Sequence, residues 1–268
     1  MIKTLLCALV LGTITLPAMA QDSIGTPVTG EILSGWVRAD GTRVAAIKLT
    51  LAPGWKTYWR SPGDNGIPPA FDWSGSSNLR GVGITWPAPK VFRQSGVRTI
   101  GYANELVLPI TIAPRKSGKP IKLRANLDIG VCSDICVPHQ MTLRATLDTT
   151  NTKPTPAIAA SLAARPYSAS EAGVTSATCS LRPTAKGLEI KTRLNVPSTG
   201  GREVVVIEPG QPNLWMSETD SSRSGGQLTA TGDLQSTGGG ALAIDRSAIR
   251  ITVLGKNHAV EIQGCTPG

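Results

Sequence analysis

The sequence contains little histidine and lacks the motifs of the common nucleotide-dependent and hydrolytic enzymes. Its 268 residues include 2 histidines, and we find no phosphate-cradling glycine loop, no serine-elbow motif and no paired-histidine zinc signature. Beyond the first twenty residues, no stretch approaches the roughly 18 consecutive apolar residues of a membrane-spanning helix. These absences argue against such enzymes, and they predict a chain without a transmembrane segment once its N-terminus has been removed.

Positive charge is in excess but is not concentrated in any run. Lys and Arg number 27 against 18 Asp and Glu, for a formal net charge of +9, and the basic residues occur singly along the chain. Nucleic-acid-binding chains usually gather their basic residues into patches or tails. We therefore predict a solvated basic surface and no nucleic-acid partner.

The N-terminus has the pattern of a secretory signal peptide. Lys3 supplies a positive start, residues 4–16 are mainly apolar, and Ala18-Met19-Ala20 is a small-x-small cleavage site. We predict that residues 1–20 are removed on export to the periplasm, and Cys7 with them.

The pattern of apolar residues predicts strands along most of the remaining chain. Apolar and polar residues alternate with a period of two over residues 121–129 and 141–147, as in half-buried strands, and Asp40-Gly41 has the turn chemistry of a hairpin. Further strand patterns lie at residues 188–194, 204–207 and 249–254. The sequence therefore predicts an all-β protein.

A change in composition predicts two β-sandwich domains. Nine of the 11 aromatic residues lie in the first 102 positions, whereas the C-terminal part is rich in Gly, Ser and Thr. Between the two parts, a polar segment with two prolines precedes an alanine-rich stretch, residues 156–164, which we interpret as one short helix. The predicted organisation is a signal peptide at 1–20, a first domain at 21–150, a linker with the helix at 151–167, and a second β-sandwich at 168–268.

Four cysteines remain after the predicted cleavage: Cys132, Cys136, Cys179 and Cys265. An even number in an oxidising compartment indicates two disulfides, although four cysteines permit three pairings. Spacing favours Cys132 with Cys136, since three intervening residues can be bridged within a tight turn. We interpret this pair as redox-active, with a structural staple or a metal site as alternatives, and Cys179–Cys265 as a structural disulfide.

The short pair lies in a predicted loop, Gly130–Gln140, which is flanked by strands. A thioredoxin-type site instead places its two cysteines at a helix N-terminus, which lowers the thiol pKa. With no such helix, and with Asp134 between the thiols, we expect a thiolate that forms reluctantly. His139 is either a partial compensation when protonated or simply a polar residue at the end of the loop.

Two other classes of function compete with redox exchange. A copper centre with soft ligands is one alternative, since it would use a set such as Cys132, Cys136, His139 and Met141. The spacing on each side of the histidine is, however, one residue shorter than in the dinuclear copper-A pattern. The only other histidine is His258, and Met141 lies on the apolar face of its predicted strand. A copper-tolerance protein and a non-catalytic adaptor stay open as alternatives.

A series of motifs resembles the N-terminal periplasmic domain of the DsbD thiol–disulfide interchange family, including the ScsB proteins. The resemblance covers about residues 25–150, and the second part of the chain is similar, more loosely, to the second extracytoplasmic part of ScsB-like chains. The motifs, in order, are Gly54-Trp55-Lys56-Thr57-Tyr58-Trp59-Arg60, Pro62-Gly63-Asp64, Trp86-Pro87, Gly101-Tyr102, Leu108-Pro109, and Cys132 to Cys136 with Pro138.

The resemblance implies an immunoglobulin-like first sandwich without a cofactor. It implies that the cysteine pair accepts electrons from a membrane-embedded or thioredoxin-like thiol carrier and passes them to periplasmic disulfide-containing proteins, with Cys136 meeting the partner. It also implies a cap loop at residues 87–100. The candidates for the cap or for partner docking are Phe92, Asp64, Tyr102 and His139.

The chain departs from the best-known members of that family in two respects. Its cysteines are closer together, and no transmembrane electron-carrying module follows in the sequence given. We therefore expect another protein to deliver the electrons.

Equilibrium titration with a dithiol should open Cys132–Cys136 well before Cys179–Cys265. Chain entropy stabilises the short loop by only about 2 kcal/mol, against roughly 4.6 kcal/mol for a pair 86 positions apart. The difference corresponds to about 55 mV for a two-electron couple. Alkylation of the free thiols and mass spectrometry identify the pair that has opened. Prior opening of Cys179–Cys265, or pairing across the two domains, would contradict this assignment.

Overall fold

The computed structural model describes residues 25–94, 96–148, 150–238 and 243–268. The predicted signal peptide lies outside these residues. The described chain consists of strands and one short helix, which confirms the all-β prediction, and none of its helices has the length and apolar character needed to cross a bilayer.

The first sandwich packs two antiparallel sheets face to face. Its strands are β1 (Val28–Val37), β2 (Arg43–Leu51), β3 (Lys56–Tyr58), β4 (Ala70–Asp72), β5 (Leu79–Ile84), β6 (Lys90–Gln94), β7 (Val97–Ala103), β8 (Glu105–Pro114), β9 (Ile121–Cys132) and β10 (Cys136–Leu147). One sheet has the order β1-β2-β8-β5, and the other has the order β10-β9-β3-β7-β6, with β4 paired to β9.

The core of this sandwich lies between the two sheets. Trp59, Ile47 and Ile129 are buried there, each at most 1% exposed. The turn that joins β1 to β2 contains Asp40 and Gly41, as predicted. The Asp40 carboxylate accepts a 2.9 Å hydrogen bond from the backbone of Thr42, and Gly41 has a φ of +80°, which favours glycine.

The β9–β10 hairpin is longer than the sequence indicates. Residues 130–140 were expected to form a loop, but β9 continues to Cys132 and β10 begins at Cys136. Pairing persists through Pro138 because β10 is the last strand in the order of its sheet, and a proline is tolerated on an edge strand, where its missing N–H need not complete the ladder.

The predicted helix is present as α1 (Pro156–Ala163), one residue shorter than expected. Its proline occupies the first turn, where the missing N–H costs nothing. Ile158 is fully buried against Val44 and Ala46 of β2, and the Ser161 hydroxyl donates to the backbone oxygen of Val107 at 2.5 Å. The connecting segment is therefore packed on the first sandwich.

The second sandwich also has two sheets. Its strands are β11 (Tyr167–Ser168), β12 (Ser176–Thr184), β13 (Gly187–Asn195), β14 (Val204–Glu208), β15 (Leu214–Met216), β16 (Asp220–Ser224), β17 (Gln227–Ser236), β18 (Arg250–Leu254), β19 (Ala259–Gln263) and β20 (Thr266–Pro267). The sheets have the orders β11-β19-β18-β14 and β15-β17-β13-β12-β20, and β16 pairs with β17. A Cys179–Cys265 disulfide connects β12 with the segment just before β20.

Arg60 joins the two sandwiches. Its guanidinium lies 2.9 Å from the carboxylate of Glu208 and 2.6 Å from that of Glu261, both in the second sandwich. Arg250 approaches the same two carboxylates at 3.9 and 3.6 Å, and the Arg60 guanidinium stacks 4.4 Å from the Trp59 ring. A core tryptophan and two carboxylates thus fix the position of Arg60.

A second polar contact crosses the same interface. Arg98 pairs with Glu218 at 2.9 Å, and the Asp64 carboxylate accepts a 3.2 Å hydrogen bond from the Glu218 backbone. Between the two contacts lies a cavity of about 390 Å³ that both sandwiches line. Val204 and Leu254 of the second sandwich also pack against the core of the first.

Arg60→Gln should lower the free energy of unfolding more than the same substitution in an exposed ion pair. It leaves Glu208 and Glu261 side by side while their side chains are only 18% and 34% exposed. We expect a loss of about 1–2 kcal/mol of unfolding free energy, because solvent and Arg250 screen part of the repulsion. Urea unfolding measures the loss, and small-angle X-ray scattering follows the arrangement of the sandwiches.

Arg182→Gln is the matched control. Arg182 is 71% exposed and pairs with Glu189 inside the second sandwich, so we expect a loss below about 0.5 kcal/mol. Equal losses in the two variants would contradict a special role for Arg60.

Candidate functional site

The tip of the β9–β10 hairpin carries a disulfide between Cys132 and Cys136. The two residues are directly opposite each other in the strand register, and their Cα atoms are 4.1 Å apart. The turn between them is closed by a 3.0 Å hydrogen bond from the Ser133 backbone N–H to the Ile135 oxygen. Strand pairing therefore brings the two sulfurs together.

The two cysteines differ in exposure. Cys132 is 1% exposed, whereas Cys136 is exposed and follows Ile135, whose side chain is 51% exposed. Thiol–disulfide exchange requires a thiolate to reach a sulfur atom. An attacking group from solvent can therefore reach Cys136, and Cys132 becomes the leaving thiol.

The Tyr58 hydroxyl contacts both sulfurs of the disulfide. Its oxygen is 2.6 Å from Sγ of Cys132 and 3.3 Å from Sγ of Cys136. A disulfide sulfur has no hydrogen to give, so the hydroxyl is the donor in both contacts. Burial raises the pKa of Tyr58, which keeps this donor protonated at neutral pH.

Gly130 makes room for the Tyr58 ring. A Cβ atom at Gly130 would lie 2.8 Å from two ring carbons of Tyr58 and 2.7 Å from Cβ of Ile67. The Thr57 hydroxyl also donates to the Gly130 oxygen at 2.9 Å. A glycine in β9 thus lets the ring lie flat across the strand, with its hydroxyl at the disulfide.

Lys56 is on the other side of Cys132 from β10. It is directly opposite Cys132 in the pairing of β3 with β9. Its ammonium lies 5.4 Å from the centre of the Phe92 ring, and it donates a 3.0 Å hydrogen bond to the Gln94 side chain. Phe92 of the predicted cap segment therefore contacts a neighbour of the disulfide.

Tyr102 and Asp64 have their contacts elsewhere. The Tyr102 hydroxyl is buried and donates a 2.8 Å hydrogen bond to the backbone oxygen of Pro87, which ties down the start of the predicted cap. Asp64 lies at the contact with the second sandwich, where it accepts from the Glu218 backbone.

His139 and Met141 lie on the opposite face of the hairpin from the disulfide. His139 is opposite Ile129 and Met141 is opposite Leu127, and these partners are core residues, whereas Cys132 has the other parity. Met141 packs against the core, as its position in the pattern predicts. The four residues of the copper alternative are therefore divided between two faces.

The described residues hold no metal-binding cluster. Within residues 25–94, 96–148, 150–238 and 243–268, no group of three or more His, Cys, Asp and Glu side chains could hold a metal ion. Asp134 is exposed in the turn of the disulfide hairpin.

Sequence reasoning missed Tyr58 and Lys56 as site residues. Both belong to the Gly54–Arg60 motif, which indicates the family resemblance but assigns no role to either side chain. Their separation by two positions on a strand places them on one face. No local sequence pattern indicates that this face contacts a cysteine more than 70 positions away, since β9 pairs with β3 only in the folded sheet.

The tip of the β9–β10 hairpin thus holds a disulfide with one buried and one exposed cysteine beside a tyrosine hydroxyl. Residues 31–148 match the family model described as "Thiol:disulfide interchange protein DsbD, N-terminal". The match falls within the first sandwich and confirms the resemblance that its motifs indicate.

Beyond the residues that the family model covers, the fold of most of the chain is similar to a solved structure. The crystal structure of the N-terminal periplasmic domain of ScsB from Proteus mirabilis matches with a TM-score of 0.66 and 21% sequence identity, over 90% of this chain and 92% of that chain. The match therefore extends into the second sandwich and shows a shared fold. A comparison with curated proteins found no match.

Tyr58→Phe should slow the reactions of the reduced cysteine pair without unfolding the protein. It removes only the hydroxyl that touches both sulfurs, and a hydrogen bond to a charged group contributes about 1.5–3 kcal/mol. We expect at least about tenfold less thiolate at pH 7 and a correspondingly slower reaction with iodoacetamide.

Tyr102→Phe is the control, because it removes another buried hydroxyl, the one that donates to Pro87. We expect it to lower stability by about 1 kcal/mol while the alkylation rate stays the same. If both variants slowed alkylation equally, the Tyr58 hydroxyl would not be acting on the sulfurs.

Proposed function

We propose that this protein is a periplasmic thiol–disulfide interchange protein that relays reducing equivalents through the Cys132–Cys136 pair. Its electron donor is a membrane-embedded or thioredoxin-like thiol carrier, and its acceptors are periplasmic proteins with disulfides. The observation that carries the proposal is the unequal exposure of the two cysteines beside the Tyr58 hydroxyl. The DsbD N-terminal match over residues 31–148 supports it.

Reduction of the pair proceeds through a mixed disulfide. A thiolate of the carrier attacks Sγ of Cys136, the Cys132–Cys136 bond breaks, and Cys132 leaves as a thiolate that accepts the Tyr58 hydrogen bond and then a proton. The second thiol of the carrier loses its proton and attacks the mixed disulfide, which releases Cys136. The carrier dithiol has become a disulfide, and two electrons have passed to the pair.

Oxidation of the pair reverses these roles. The Cys136 thiolate attacks a sulfur of the substrate disulfide and releases one substrate thiolate, which takes up a proton. The Cys132 thiol, deprotonated beside Tyr58, then attacks Cys136 and releases the second substrate thiol. The protein would act in this way as a component of a protein-disulfide reductase system.

The second disulfide has the properties of a structural bond. Cys179 is fully buried in the core of the second sandwich, and Cys265 packs against the same core. The bond joins two segments 86 positions apart, near the last residues of the chain, where fraying is otherwise expected. We assign it to stability, outside the electron relay.

A trapping experiment tests the proposed relay. In Cys132→Ser the exposed Cys136 keeps its thiol but has no resolving partner in its own chain. A mixed disulfide that Cys136 forms with an oxidised partner can then be released only by that partner's own second thiol. We expect the variant to retain, on purification from periplasm and membranes, a disulfide-linked thioredoxin-like or membrane thiol carrier that mass spectrometry identifies.

Cys136→Ser is the matched control, because it leaves only the buried Cys132. We expect it to trap at least about tenfold less carrier, since the remaining sulfur is inaccessible. Recovery of no mixed disulfide from either variant would favour the non-catalytic adaptor, and preferential trapping by Cys136→Ser would reverse the assigned order of the cysteines.

A further inference from the structure

The cavity of about 390 Å³ at the contact of the two sandwiches is bounded by two strand edges. It lies between residues 61–64 of the first sandwich and the strands β14 and β15 of the second. Each of these strands is at the end of the order of its sheet. The outer edge of such a strand carries backbone N–H and C=O groups that no neighbouring strand pairs.

On β14, side chains cover the outer edge at Val205 but not at Ile207. The Val205 N–H donates to the Ser221 hydroxyl at 3.0 Å, and the Val205 oxygen accepts from the Thr219 hydroxyl. Alternate residues of a strand point their backbone groups to the same edge, so those of Ile207 point the same way. Among the residues that the structure describes, they have no hydrogen-bond partner. Ile207 is only 3% exposed and lines the cavity, so its backbone groups face the cavity.

The strand β15 presents a second edge of the same kind. The Ser217 N–H donates to the backbone oxygen of Asp233 on β17, so residues at odd positions bond to β17 and those at even positions point outward. The Glu218 N–H, at an even position, donates to Asp64 at 3.2 Å. Met216 lies two residues earlier and lines the cavity, and within the described part of the chain its backbone groups have no partner.

An extended peptide is the ligand that suits two such edges. A buried backbone group without a partner costs free energy comparable with a lost hydrogen bond. An extended segment of another chain supplies N–H and C=O groups at the spacing of a strand, and it can therefore pair with a free edge. The volume of the cavity also lies within the range of roughly 300–1,000 Å³ of ligand sites.

The charges that line the cavity favour a basic side chain over an anion. Both guanidiniums are already paired, Arg60 with Glu208 and Arg98 with Glu218, each at 2.9 Å. Oε1 of Glu218 is buried and has no hydrogen-bond partner among the described residues. Asp64 joins none of their ion pairs. The cavity thus offers unpaired carboxylate oxygens to a cation.

We propose that this cavity binds an extended segment of a client protein, which pairs with the backbone of Ile207 and Met216 and places a lysine or arginine at Glu218. This binding function goes beyond the electron relay and does not depend on it. It gives the second sandwich a role in holding clients. The wall of the site includes Arg60, which is two positions from Tyr58 at the disulfide.

The first test measures the affinity of the oxidised protein for three pools of fluorescent hexapeptides. Valine, threonine, leucine and serine are mixed at five positions, and the third position is lysine, glutamate or norleucine. We expect the lysine pool to bind at least about tenfold more tightly than the glutamate pool, because like charges in an interface repel. Equal affinities of these two pools, or no saturable binding by any pool below about 1 mM, would overturn the proposal.

Glu218→Gln tests the side chain that receives the cation, and Glu189→Gln is its matched control. Both carboxylates pair with an arginine at 2.9 Å and are similarly exposed, but Glu189 lies on β13 and does not line the cavity. We expect the preference for lysine to fall to at most about twofold in Glu218→Gln, because the negative charge is gone. Glu189→Gln should keep the full preference, and an equal loss in both variants would contradict the assigned site.

The second test locates the peptide on the wild-type protein, and so does not depend on the folding of a variant. The tightest peptide of the lysine pool is added to isotope-labelled protein, and NMR detects short distances between the two. We expect contacts from the amide protons of Ile207 and Met216 to the peptide backbone. The amide protons of Val206 and Trp215 should show none, because they point to β18 and β17.

Contacts of the peptide with the edges of β6 or β10 instead would overturn the proposal, because the peptide would then be adding to another free edge. These outcomes are separate from those of the trapping experiment. The peptides contain no cysteine, so binding in the cavity is measured whether or not a carrier is trapped. Conversely, a trapped carrier without peptide binding would support the relay and reject the client site.

Discussion

The antiparallel pairing of β9 with β10 is the constraint on which the site depends. It sets Cys136 opposite Cys132, and it decides which side chains of the hairpin face the core. A shift of the register by one residue would move every side chain to the other face. The apolar residues at alternate positions from Ile121 to Ile129 hold the register, because a shifted strand would expose them to water. The disulfide is thus positioned by the hydrophobic core.

Burial on one side and exposure on the other make the two sulfurs differ in their access to solvent. The sheet and the Tyr58 ring cover Cys132, while Cys136 starts the edge strand and faces solvent. Covering a sulfur makes its thiolate costly unless a donor is provided, and the Tyr58 hydroxyl provides one. Gly130 is part of the same arrangement, since any side chain there would displace the ring.

One short segment serves the site, the core and the interface between the sandwiches. Lys56 and Tyr58 lie beside the disulfide, Trp59 is fully buried in the core, and Arg60 reaches the carboxylates of the second sandwich. Tyr58, which contacts the sulfurs, is only two positions from Arg60, so a movement of this segment at the interface would also shift the Tyr58 hydroxyl. The second sandwich is thus connected to the disulfide through this segment, although it contributes no residue to the disulfide's surroundings described above.

The sequence alone determined the features that are local or periodic. The alternation of apolar residues predicted β9 and β10, the Asp40-Gly41 pair predicted its turn, and close spacing predicted the pairing of Cys132 with Cys136. Only the tertiary structure decided the extent of the hairpin, the unequal burial of the two sulfurs, and the approach of Tyr58 and Lys56. The physical reason is that contacts between distant strands depend on the order of strands in the sheet, which no local pattern of residues encodes.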